Sequence, residues 1–112
     1  MESEMIEKYR HDLAYLRAMA EQAVNDFGRL GYDLHFNEQL PVSFVNYQHQ
    51  LSEQLQRWCK SDFGRIPTLL YHIDLPEHLL PAGHGCKNPS RLAELILQRE
   101  LIKVILRKHY SS

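Results

Sequence analysis

Ile6, Tyr9, Leu13, Leu16, Ala20, Ala23, Phe27 and Leu30 recur at alternating steps of three and four residues. That spacing puts all eight side chains on one stripe of a helix and would scatter them over both faces of a strand. Lys8, Arg10, Asp12, Arg17, Glu21 and Asp26 fall off the stripe, as the wet side of an amphipathic helix requires. The spacing predicts one helix over 4–30. Gly31 is the better stop than Gly28. With Gly31 just past the end, Phe27 and Tyr32 form the apolar pair of a left-handed C-terminal cap.

The rest of the chain reads as helices separated by two connections. In residues 32–42, Tyr32, Leu34 and Phe36 alternate and suit a short extended piece on the core. A second helix fits 44–62, capped by Ser43 and stapled by Val42 and Tyr47. Phe44, Tyr47, Leu51, Leu55 and Trp58 form its buried face. Asn46, Gln50, Glu53, Arg57 and Lys60 form its wet face, with Glu53 and Arg57 paired at i,i+4. Residues 65–88 are broken by Pro67, Pro76, Pro81, Gly83 and Gly85. Within them, 68–75 suits a short helix beginning at Pro67, because no strong strand is available to pair with it. A last helix runs from Pro89 to about His109. Its apolar residues cover more than one stripe, which places it centrally.

The fold class expected is all-α: a single domain, 1–112, forming a compact bundle of three long amphipathic helices plus a short fourth helical element. The alternative is α+β, with one short hairpin from 32–36 and 69–75. The core expected comprises Leu13, Leu16, Phe27, Phe44, Leu51, Leu55, Trp58, Leu95, Ile102 and Leu106.

Thirteen Lys plus Arg against fourteen Asp plus Glu leave a net charge of −1, so no global field draws the chain to nucleic acid or anionic lipid. The start of the chain is acidic and lacks the basic and apolar regions of a secretory signal. The most apolar stretch, Leu92 to Leu106, is interrupted by five charged or amide residues, which argues against a membrane span. A cytoplasmic location is expected, with Cys59 and Cys86 both free thiols and Cys59 a small buried residue.

No glycine-rich phosphate loop, CxxC, HExxH or GxSxG occurs, so the sequence assigns no catalytic residues and an enzyme is disfavoured. Glu7 and His11 stand four apart and suit an exposed helical pair. His72, His78, His84 and Cys86 are weak metal candidates. They are four zinc-type ligands on a bendable segment, but without the two tight ligand pairs of a structural site. His84 is also the one base near Cys86, which precedes the last helix. No cofactor is expected, and zinc on these residues is the alternative.

Arg99, Lys103, Arg107 and Lys108 form a basic ridge on the last helix, a candidate interaction surface. Like charges four apart need an offset, which the acidic start (Glu2, Glu4, Glu7 and Asp12) could provide. The leading functional expectation is a non-enzymatic protein–protein interaction or assembly module. The alternatives are a metal-binding regulatory or enzymatic protein using His72, His78, His84 and Cys86, and a nucleic-acid accessory protein using the basic helix. A homodimer is expected, because a first helix of about 37 Å is longer than the second, at about 28 Å, can cover.

Overall fold

In the computed structural model, residues 2–80 and 83–110 are described; Pro81 lies outside them. Five α-helices follow one another: α1 (Glu2–Tyr9), α2 (Leu13–Arg29), α3 (Phe44–Ser61), α4 (Ile66–Ile73) and α5 (Pro89–Tyr110). Three short 3-10 turns, Phe63–Arg65, Glu77–Leu79 and Gly83–Gly85, fill the irregular stretch. No strand occurs among the described residues, so the all-α expectation holds and the hairpin alternative does not.

The expected first helix is in fact two. Asp12 leaves the helical region (φ −83°, ψ 114°), and its carboxylate accepts from the N–H groups of Ala14 and Tyr15 at 3.0 and 3.2 Å. Those bonds satisfy orphan donors that a continuous helix would have paired with its own carbonyls, so the break costs little. The Tyr9 and Tyr15 rings stack across it, with centroids 4.2 Å apart. Two expectations change with the break. Leu13 becomes the first residue of α2 and is 49% exposed instead of buried. His11 falls in the turn, so Glu7 and His11 do not share a helix face. The cap at the other end forms as expected. Gly31 (φ 85°) lets Tyr32 N–H donate to Phe27 O and Gly31 N–H to Gly28 O, at 3.0 and 3.1 Å.

α5 lies at the centre, packed by α1, α2, α3 and α4. Its buried residues include Leu92, Ala93, Leu95, Ile96, Leu97, Leu101, Ile102, Val104 and Ile105, which surround the helix axis. The core expectation holds for Leu16, Phe27, Phe44, Leu51, Leu55, Leu95 and Ile102. Trp58 is half-buried, its ring 5.0 Å from Tyr32 and 5.7 Å from Phe27. Leu106 is 39% exposed, so it lies at the margin of the core and not within it. Leu16→Ala or Ile102→Ala should therefore lower stability by about 2–5 kcal/mol in a denaturant titration. Leu13→Ala and Leu106→Ala should each cost clearly less, about 1 kcal/mol, because a large part of each side chain stays in water on folding.

Cys59, near the end of α3, is bonded to Cys86, just before α5. The expectation of two free thiols is thereby corrected. The pairing was hidden because 27 residues separate the cysteines, and only the return of the chain over α3 brings them together. The enclosed segment carries the most strained backbone. Gly83, His84 and Gly85 are all left-handed (φ 67°, 55° and 87°), and a Cβ on Gly85 would stand 2.7 Å from Leu92 Cδ1.

Candidate functional site

The basic ridge is engaged by the chain itself. Arg99 donates to Asp74 at 2.8 Å, with Glu2 at 3.7 Å. Lys103 Nζ lies 2.9 Å from Asp26 and 2.9 Å from Glu100. Arg107 donates to Gln22 Oε1 at 2.7 Å, and Lys108 Nζ stands 5.2 Å above the Tyr15 ring. Of the acidic residues expected to offset the ridge, Glu2 does so; Asp26 and Asp74 do most of the rest.

Beneath the ridge lies a polar cluster the sequence reading missed. Glu100 is fully buried and Asp26 nearly so, at 0% and 3% exposure. Lys103 Nζ is close to Glu100 Oε1, but its direction is poor for a hydrogen bond, so neither Glu100 oxygen receives a well-aligned donor. The Glu100 carboxyl instead faces that of Asp26. Two carboxylates are both acceptors, so this contact bonds only if one is protonated. Burial, then Asp26, push Glu100 up to about 8 against the opposing pull of Lys103. Burial also raises Asp26, but hydrogen bonds from Glu100, Lys103 and Gln22 outweigh it and hold its carboxyl below the usual range. At neutral pH the cluster is an acid, a carboxylate and an ammonium locked between α2 and α5. The cluster ties α2 to α5 through matched polar groups beneath the ridge.

The metal candidates do not converge. Cys86 sulfur is taken by Cys59. His72 and His78 are exposed, on α4 and on a 3-10 turn, and His84 packs near Phe63, ring centroids 6.1 Å apart. No group of three or more His, Cys, Asp or Glu side chains among the described residues could hold a metal. The same geometry leaves Cys86 without the thiol a nucleophile needs.

Among the described residues, one recess roomy enough for a ligand is a half-open cleft of about 670 Å³ between α2 and residues 34–42. α2 contributes Arg17, Ala20, Glu21 and Val24, the connection contributes Leu34 to Glu38 and Leu40, and α3 contributes Tyr47 and Gln50. Val24 and Leu40 are 36% and 43% exposed, so the cleft offers apolar surface to a partner. Tyr47 packs edge-on against Phe36, centroids 4.9 Å apart. Burial first, then Glu21 and Glu38, raise the Tyr47 phenol against the pull of Arg17, so it remains a neutral donor.

The wall formed by the connection is held by side chains, not by strand pairing. Gln54 accepts from His35 N–H at 3.0 Å and donates to His35 O at 2.7 Å. Gln50 accepts from Asn37 N–H at 2.6 Å, and Asn46 donates to Pro41 O at 2.8 Å. These three amides stand four residues apart on α3. Asn46 and Gln50 were expected to be wet, and Glu53 pairs with His49 at 2.8 Å where Arg57 was expected. The available signal was the spacing of three long amides beside an alternating segment lacking a strand partner.

No protein-family model matches the chain, no characterised protein matches it, and neither does any solved structure. No described helix is long and apolar enough to cross a membrane. The site is therefore read from its own geometry.

Proposed function

We propose that this protein is a non-enzymatic interaction module whose α2/34–42 cleft receives a segment of a partner protein. The observation that carries the reading is the cleft's construction. A partly apolar recess with a few fixed polar groups is walled by a connection that three side-chain amides hold in place. Such a wall is set before the partner arrives, which lowers the ordering cost of binding.

The partner is more simply another protein than a second copy. The homodimer rested on one long seam, and the break at Asp12 shortens that seam and turns Leu13 out of it. Light scattering on the purified chain should accordingly give the monomer mass. The disulfide also bears on location. A bond between Cys59 and Cys86 persists in an oxidising compartment, whereas the cytoplasm expected from the sequence would keep both as thiols.

The reading is tested with peptides selected from a random displayed library on the wild-type chain. Val24→Asp and Leu40→Asp change exposed residues of the cleft and should leave the fold intact. Selected peptides should lose at least about tenfold in affinity for either variant, since a charge placed against an apolar contact costs on the order of 1.4 kcal/mol or more. Equal binding to the wild type and both variants would exclude the cleft as the recognition site.

A further inference from the structure

We propose that the cleft takes its partner as an extended, basic peptide that adds as a strand along the outer edge of residues 34–37. The inference rests on the cleft being the binding site and specifies what enters it and how.

The peptide planes carry the argument. Every peptide bond described is trans, so the C=O and N–H of one unit point in opposite directions. His35 N–H points to Gln54 on α3, so Leu34 C=O points away from α3. His35 C=O accepts from the same Gln54, so Phe36 N–H points away. Asn37 N–H points to Gln50, so Phe36 C=O points away as well. Phe36, only partly buried, thus offers both a donor and an acceptor on one edge, while the buried Leu34 anchors the start of the segment in the core. Among the described residues neither Phe36 group has a backbone partner within the protein. Both residues border the cleft. A donor and an acceptor of one residue on an open edge are the unit by which a strand is added, with alternate side chains finding their own pockets.

Charge decides the occupant. Glu21 and Glu38 share the cleft with the single cation Arg17, and all three act on the Tyr47 phenol. A Lys or Arg side chain in the added strand answers the excess carboxylate, while its apolar neighbours rest on Val24 and Leu40. A second copy pairing through its own edge would not, because residues 32–42 contain no Lys or Arg.

The test uses the isotope-labelled full chain and short capped peptides alternating lysine and valine. A glutamate-for-lysine counterpart, the chain's own 32–42 segment, and lysine peptides N-methylated on alternate amides complete the set. The lysine peptide should shift the cleft resonances and protect the Phe36 amide from exchange. The glutamate peptide and the 32–42 segment should bind at least about tenfold more weakly. N-methylation of one alternating set of amides should weaken binding by about tenfold, and of the other set hardly at all. Glu21→Gln with Glu38→Gln should remove the preference for lysine. Cleft shifts without protection of Phe36, or with both methylated sets equally affected, would overturn strand addition and leave the interaction module standing. Equal or tighter binding of the 32–42 segment would make a second copy the occupant and overturn the foreign peptide. If no peptide, designed or library-selected, shifts the cleft, both readings fall.

Discussion

Replacing Cys59 and Cys86 together by serine is expected to lower the stability of the folded chain by about 3–4 kcal/mol. The bond closes a loop across a sequence separation of 27 residues. Chain-entropy scaling for a loop of that size gives roughly 3.5 kcal/mol, through fewer conformations in the unfolded state. At this chain length the melting temperature should fall by about 13–17 °C. The cost concentrates where the fold has least else to hold it. The looped segment comprises α4, short turns and three consecutive left-handed residues, tied down by Arg99 to Asp74 and by the α4 core residues. Hydrogen exchange should therefore quicken most over 74–80 and 83–88, with the α2–α5 packing retained. Reducing the wild type with a thiol should reproduce the effect of the double variant. If the oxidised, reduced and double-serine forms share one denaturation midpoint, the crosslink contributes nothing and this account of the segment is wrong.

Lys103→Met should cost about 3 kcal/mol at pH 7. It removes the ammonium that contacts both Asp26 and Glu100 and leaves the Asp26 carboxylate buried without its cation. The low end of the usual range applies because a quarter of the Lys103 side chain remains exposed, at 26%. Replacing all three members of the cluster by apolar residues of similar size should be nearly neutral, since the desolvation cost then disappears with the charges.

The same cluster sets a pH dependence. Glu100 has a raised carboxyl, at about 8, so the folded state holds a proton that the unfolded state has already released. Its contribution is full below about pH 4.5 and is lost as the pH rises through about 8. Asp26 is lowered, so its contribution is present above the ordinary carboxylate range and is lost as the pH falls below that range. Lys103 is raised, and its share is lost only in strong alkali. Stability from the cluster should thus peak near pH 4–5 and decline by a few kcal/mol towards pH 8. Glu100→Gln keeps a donor for Asp26 but cannot ionise, so its stability should stay flat over that interval relative to the wild type. Parallel curves for the two proteins would show that Glu100 does not titrate there.

Local rules were enough for much of the fold. Periodicity and caps are properties of neighbours in sequence, so Ser43 starts α3, Pro89 opens α5 and the Gly31 cap closes α2 where the residues say they should. The breadth of apolar residues on α5 likewise announced its central place. Asp12 shows where a local rule was legible but outvoted: an aspartate before an apolar run is a helix start, and the unbroken seam concealed it. The rest depends on which distant groups meet. Cys59 and Cys86 became partners only through the path of 62–88, and a carboxyl such as Glu100 reads as surface charge until Asp26 and Lys103 close over it. The cleft depends on Gln50 and Gln54 turning toward backbone 13 and 19 residues before them, with Asn46 bonding Pro41 five residues back. An amide on a helix can face water or a backbone with equal local propensity, and only the packing of the 32–42 connection against α3 chose the backbone. Sequence alone therefore determined the helices, their ends and their apolar faces, because those follow from interactions within a few residues. The crosslink, the buried acid and the open edge at Phe36 were decided by tertiary structure, because each needs groups that come together only once the chain has folded back on itself.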